Sequence, residues 1–209
     1  MNGIKLKISK PTDKLPAGSS KLFGNPDVWD GFIWPSVPEN GAEYDLTFMC
    51  QISCKHASAF DESGILPKTG ILYFFYDLDT MPELSDAGSA RVLVYDGDLS
   101  FLHEMLLTDE NGNSISFSEQ KIDFEISDGN ESLSALLPFG LSACNTDAYG
   151  LKGEMILLLR LCSFETEDAE IRFMENGFLD FYIEKSRLEA HDFSDVRAVQ
   201  TAPQQNSVG

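Results

Sequence analysis

The chain has 209 residues, 34 of them acidic and 15 basic, for a formal charge of −19 at pH 7. That balance argues against general nucleic-acid binding, which needs clustered positive charge, and leaves a basic protein as the partner the charge favours. Hydrophobic residues make up 43% of the sequence and 15 residues are Phe, enough for one sizeable core, so a single domain over residues 1–200 is expected.

No stretch is long and apolar enough to span a bilayer; the best run, Met155 to Leu159, stops at Arg160 and reads as a buried strand. The first residues, MNGIKLKISKPTDK, contain lysines but no apolar signal core, so a cytoplasmic location without membrane association is expected. Cys50, Cys54, Cys144 and Cys162 are too few and too unevenly spaced for a disulfide framework and are expected to be reduced. Residues 1–22 carry Lys5, Lys7, Lys10, Lys14 and Lys21 against Asp13 alone, a local excess of +4 that leaves −23 on the rest. This basic arm is expected to dock on the acidic body of its own chain rather than to hook a second molecule.

In chain order, Gly3 to Ser9 alternates Ile4, Leu6 and Ile8 with polar residues, the period of a half-buried strand with a lysine face. Pro11 to Gly24 is rich in Pro, Gly and Ser and reads as an irregular crossing. Leu46 to Ser53, Ile71 to Tyr76 and Ala90 to Tyr95 carry the β-branched and aromatic content of strands. Leu99, Leu102 and Leu106 fall near helical spacing and predict a short helix over 99–107. Asn111-Gly112 predicts a hairpin turn between two surface strands, because both central positions of a type I′ turn need positive φ. Lys121 to Ile126, Met155 to Leu161, Phe178 to Ile183 and Val196 to Val199 complete the strands, and the polar residues 201–209 predict a disordered tail.

The halves look alike. LTFMCQIS (46–53) aligns with MILLLRLC (155–162), and KTGILYFFYD (68–77) with ENGFLDFYIEK (175–185), with Gly70 opposite Gly177. The expected architecture is therefore a strand-rich α+β fold: mixed or antiparallel sheets built from two similar strand, connection and strand units, about 19–98 and 136–199, with few short helices.

The stretch SSKLFGNPDVWDGFIWP (19–35), followed by LTFMCQIS and GILPKTGILYFFYD (64–77), resembles the YwqG-like family of bacterial proteins of unknown function. Lys21, Gly24, Pro26, Gly31, Trp34, Pro35, Gln51, Gly70, Phe74 and Phe75 stand at positions matching that family, while Phe23 replaces the first glycine of a pair. GEMILLLRL, the Gly177-led strand and DFSDV (192–196) extend the resemblance over nearly the whole chain. LPFGLSACNTD stands where the family has a His and Gly-Tyr-Pro element. The resemblance implies fold and compartment but transfers no activity and no catalytic residues.

The chain has no phosphate-binding glycine loop, no dinucleotide fingerprint and no nucleophile elbow, and no cofactor is implied. Cys50, Cys54, His56 and Cys162 invite a metal reading, but on extended chain the α-carbons of residues 50 and 54 lie about 13 Å apart, too far to converge on one ion. Asp77 and Asp79 follow one strand and Asp96 and Asp98 another; alternate carboxylates on extended chain share a face, so these four are the candidate metal ligands, with ordinary turn chemistry as the competing reading. Trp29, Phe32 and Trp34 surround Gly31 in a proline-rich loop and line either a groove or a core plug. Lys21, Trp29, Trp34 and Gln51 are the candidate ligand-binding residues. No histidine lies in a catalytic pattern, so no catalytic residue is assigned.

Three functions are compatible with these features. The first is a non-catalytic cytoplasmic interaction module whose acidic surface takes a basic protein, an immunity- or antitoxin-like role being one instance. The second is a metal-assisted hydrolase using the four strand-end aspartates. The third is a small-ligand binder using the Trp29 to Trp34 loop. The absent catalytic motifs favour the first and weigh against an enzyme; oligomeric state is not encoded in any of these features.

Overall fold

Ten strands form one antiparallel sheet: β1 (Ile4–Ser9), β2 (Lys21–Leu22), β3 (Thr47–Ser53), β4 (Ile71–Tyr76), β5 (Ala90–Tyr95), β6 (Gln120–Ile126), β7 (Ala135–Leu136), β8 (Met155–Cys162), β9 (Phe178–Glu184) and β10 (Val196–Thr201). The computed structural model describes residues 2–39, 42–82, 88–127, 133–144 and 146–203. The spatial order is β10-β9-β8-β7-β1-β6-β2-β3-β4-β5. The edge strands β5 and β10 approach each other, and Gln200 of β10 donates through Nε2 to the Tyr76 hydroxyl (3.3 Å) and the Met81 carbonyl (2.6 Å). The sheet is thus nearly barrel-like, which leaves little free edge. The two α-helices among the described residues are short, α1 (Cys54–Ala57) and α2 (Lys185–Glu189). Among the described residues no helix is long and apolar enough to cross a membrane.

The sequence of β4, ILYFFY, explains why the sheet needs cover on both faces. All six residues are buried: Leu72, Phe74 and Tyr76 point into the main core, and Ile71, Tyr73 and Phe75 into a second cluster on the outer face. Each such side chain contributes about 1.5–3 kcal/mol when fully withdrawn from water, so an uncovered outer face would be costly. The chain leaving β2 supplies that cover through Trp29, Phe32 and Trp34. On the other half, the chain leaving β7 does likewise, laying Phe139, Cys144 and Tyr149 against Met155, Leu157, Tyr182 and Val199. Inside, Phe74 of β4 meets Phe181 of β9 edge to face at 5.3 Å.

Several local features recur on either side of the central β1/β6 pair. The β3/β4 ladder is interrupted between Phe48 and Cys50, and the β8/β9 ladder between Leu157 and Leu159. The Ser20 hydroxyl accepts from the Ser53 amide (2.8 Å), and the Ser134 hydroxyl from the Cys162 amide (3.0 Å). Phe23 and Leu137, just after β2 and β7, have φ of 54° and 46° and donate to the carbonyls of Met49 (2.8 Å) and Leu158 (2.7 Å). For a bulky residue this left-handed backbone costs about 1–2 kcal/mol. At Phe23 it is offset by a buried ring packed on Phe117 and Phe164, at 5.1 and 4.9 Å.

The eight strands named from sequence are all present, β4 and β5 with the expected bounds. Three expectations are corrected. In place of a helix over 99–107 there is one 3-10 turn, Leu99–Phe101, capped by the Asp98 carboxylate accepting from the Ser100 amide; His103–Glu104 then pairs with Asp27–Val28. The Asn111-Gly112 reversal forms, but with a single bridge, Thr108 to Ser114, instead of two strands. There the Asp109 carboxylate accepts from the amides of Asn111 and Asn113, both at 2.8 Å, and satisfies the turn itself. Thr201, expected in the tail, instead closes β10; residues 204–209 lie outside the described residues.

Candidate binding site

The β2/β3 register places Lys21 opposite Gln51, both on the outer face, because their neighbours Leu22 and Cys50 point into the core. Lys21 and Gln51 meet around a residue the sequence did not single out. Asp27 accepts from Gln51 Nε2 (2.6 Å), from the Gly18 amide (2.9 Å) and from Lys21 Nζ (3.4 Å). Gln51 is held in turn, its Oε1 accepting from the Asp27 amide (2.9 Å) and its Nε2 donating to the Ser19 carbonyl (2.8 Å). The Tyr73 hydroxyl donates to the Asp27 carbonyl (2.5 Å), and burial pushes that phenol well above its ordinary pKa. The Lys21 ammonium also pairs with Glu119 at 3.0 Å, and the lysine side chain is only 4% exposed.

Lys21 and Asp27 form the floor of a cavity of about 380 Å³ whose walls are residues 11–15, Glu104 and Glu119. At its mouth Lys14 pairs with Glu104 at 2.6 Å, with the Lys14 side chain 80% exposed. The Lys14 ammonium, and secondarily the Asn25 amide, hold the Glu104 carboxyl below the usual carboxylate range. The rest of the basic arm is also docked on its own chain: Lys5 and Lys7 pair with Glu125, and Lys10 with Glu167. All five lysines of the arm thus have carboxylate partners in the same chain.

A second cavity, of about 400 Å³, lies alongside and is mainly apolar, walled by Trp34, Phe48, Met105, Leu106, Ile115 and Phe117 with Asp45 at its edge. Leu106 and Ile115 stand 67% and 64% exposed, unusual for apolar residues flanking a surface turn. Trp34 borders this groove and is fixed by donating Nε1 to the Leu46 carbonyl (2.8 Å). Trp29 stacks on Tyr95 at 4.9 Å, and Phe32 packs edge to face on Trp29. All three aromatic residues of the loop cover the sheet, and Trp34, packed edge to face on Phe75, also borders the cavity.

The strand-end aspartates do not converge. Antiparallel pairing sets Ile71 opposite Tyr95 and Tyr76 opposite Ala90, so Asp77 and Asp79 emerge at one end of the β4/β5 pair and Asp96 and Asp98 at the other. A six-residue strand separates them, roughly 17–20 Å. Asp77 instead accepts from Thr80 Oγ1 (2.6 Å) and the Thr80 amide (3.0 Å), and Asp98 caps the 3-10 turn, which is ordinary turn chemistry. Among the described residues no group of three or more His, Cys, Asp or Glu is placed to hold a metal. The cysteine reading fares no better: Cys50 and Cys54 are buried, and burial, outweighing backbone hydrogen bonds that lower it, pushes the Cys54 thiol up to about 12, so at neutral pH it is a protonated core residue.

Sequence reasoning missed Asp27, Glu104, Glu119 and the apolar pair Leu106 and Ile115. Leu106 left a signal, since Met105-Leu106-Leu107 beside an exposed turn is an apolar run without the alternation of a half-buried hairpin. Residues 20–135 match the family described as Domain of unknown function (DUF1963). The chain belongs to this family. The DUF1963 match runs from just before β2 to the first residue of β7, so it takes in Lys21, Asp27, Gln51, Glu104, Glu119 and the whole lining of the apolar groove. No curated protein matches the chain.

Proposed function

We propose that this protein is a non-catalytic, cytoplasmic interaction module of the YwqG-like type, and that its acidic surface takes a basic partner. The observation that carries this reading is the open apolar groove beside Trp34, lined by exposed Leu106 and Ile115, on a body whose formal charge is −23 outside residues 1–22. Apolar anchors on a body of net negative charge suit a partner that is both hydrophobic and basic, with complementary charge speeding encounter and rejecting acidic competitors. An immunity- or antitoxin-like role is one function of this kind.

The reading also takes the two halves of the sheet as copies of one unit. Its support is the paired bulges, the paired Ser20 and Ser134 hydroxyls and the paired left-handed residues Phe23 and Leu137. On this view the site lies where the copies diverge: Lys21 and Gln51 in the first half correspond to Ala135 and Arg160 in the second. A small-ligand binder at the Trp29 to Trp34 loop has less support, because Trp29 and Phe32 pack on the sheet while Trp34 borders the groove.

An amphipathic leucine-lysine peptide, followed by fluorescence anisotropy, is expected to bind, and its leucine-glutamate counterpart is not. Affinity should fall steeply as ionic strength rises from ~0.01 M to ~1 M and the Debye length contracts from ~30 to ~3 Å. Equal binding of the two peptides, or no binding of the basic one, contradicts the proposal.

A further inference from the structure

The acidic cavity and the apolar groove share a wall. Glu104 lines the first and Met105, the next residue along the chain, lines the second. Asn25 braces both sides of that wall, donating Nδ2 to Glu104 (3.1 Å) and accepting from the Leu107 amide through Oδ1 (2.9 Å). Successive residues on an extended chain rise only ~3.3 Å, so the two cavities adjoin along this wall.

The two lysines in the acidic cavity differ in kind. Lys21 is buried on the floor, held between Glu119 and Asp27. Lys14 reaches in from the irregular crossing, exposed over most of its length, with Glu104 as its ion-pair partner. A surface pair of that sort contributes little and exchanges readily with another cation. The cavity holds four carboxylates, Asp13, Asp27, Glu104 and Glu119, against these two lysines, so removing Lys14 deepens an existing deficit of positive charge.

We propose that Lys14 is a replaceable occupant of the acidic cavity: a lysine or arginine of a basic amphipathic protein segment displaces it, while apolar side chains of the same segment enter the groove beside Trp34. The arm then acts as a built-in competitor that sets the affinity and rejects segments lacking a correctly spaced cation. The proposal rests on the binding-module reading above and adds the position of the cation and the role of the arm.

The test measures the dissociation constant of the leucine-lysine peptide for the full chain and for the single variants K14M and E104Q. Lys14→Met removes the competitor from an exposed position and is expected to tighten binding about two- to fivefold, the range set by the small worth of an exposed ion pair. Glu104→Gln is expected to weaken it at least threefold while leaving thermal stability close to that of the parent chain. Parent binding that is salt-sensitive but indifferent to both variants overturns the displaced-lysine proposal and leaves the binding-module reading standing. Failure of the parent chain to bind the peptide at all overturns both.

Discussion

Asp180→Ala is expected to lower the unfolding free energy by about 3–5 kcal/mol, the range for removing one partner of a buried ion pair. Asp180 is fully buried and accepts from Arg160 Nε (2.7 Å), Arg160 Nη2 (2.6 Å) and Thr201 Oγ1 (2.9 Å). The Arg160 guanidinium lies over the Phe178 ring at 4.3 Å, with Phe139 at 5.7 Å, and its side chain is 11% exposed. Removing the carboxylate leaves that cation between aromatic faces without its bidentate acceptor, and leaves the Thr201 hydroxyl without the oxygen it donates to. Urea unfolding should show the midpoint falling with the slope unchanged. Replacing the pair together, as Arg160→Met with Asp180→Leu, is expected to cost far less than the single change, because the penalty comes from an uncompensated buried charge. A single-variant loss below about 1 kcal/mol would place the pair in a wetter setting than the structure gives it.

Gly70→Ala is expected to cost about 3 kcal/mol or more, combining overpacking with backbone strain. A Cβ at residue 70 would lie 2.3 Å from the Tyr95 carbonyl oxygen, and φ there is +89°, a conformation that strains any residue with a Cβ. The obstruction is the backbone of the neighbouring strand β5, so no side-chain rotation relieves it. Gly177 meets the same obstacle, its Cβ falling 1.9 Å from the Thr201 carbonyl oxygen of β10, and its Ala variant should be similarly destabilised. Gly31→Ala is the internal comparison: φ is +87° but nothing lies within 4 Å of the added carbon, so only the strain of about 1 kcal/mol is expected. Thermal melts that rank Gly31→Ala with the other two would show that the close backbone approach at β5 and β10 is not what fixes glycine there.

The strands that follow Gly70 and Gly177 were legible in the sequence, because ILYFFY and FLDFYIE are apolar runs bounded by glycine and charge. The alternation of Ile4, Leu6 and Ile8 likewise gave β1 its buried face. Strand order was not legible, since the pairing of β1 with β6 and β7 joins segments more than a hundred residues apart and no local pattern records it. Two-residue strands escaped for a related reason: β2 and the Asp27–Val28 ribbon are too short to show a period, so the meeting of Lys21, Asp27 and Gln51 had no local signature. Lys21 and Gln51 were picked out through family resemblance; Asp27, which joins them, was not. The helical spacing of Leu99, Leu102 and Leu106 misled because the three serve different surfaces: Leu99 and Leu102 pack beneath the aromatic loop, while Leu106 lines the groove. The four strand-end aspartates were a pattern of sequence alone, defeated by the antiparallel direction of β4 and β5.

The central claim is that the groove beside Trp34 and the neighbouring acidic cavity form one surface for a basic segment. Amide NMR spectra of the protein titrated with the leucine-lysine peptide test it directly. The account predicts shifts confined to Phe23 and Gly24, residues 45–48, residues 104–108 and residues 115–117, with Lys14 and Glu119 moving alongside them. Shifts centred instead on the Phe139 to Leu157 face of the second half, or spread evenly over exposed carboxylates, would contradict it.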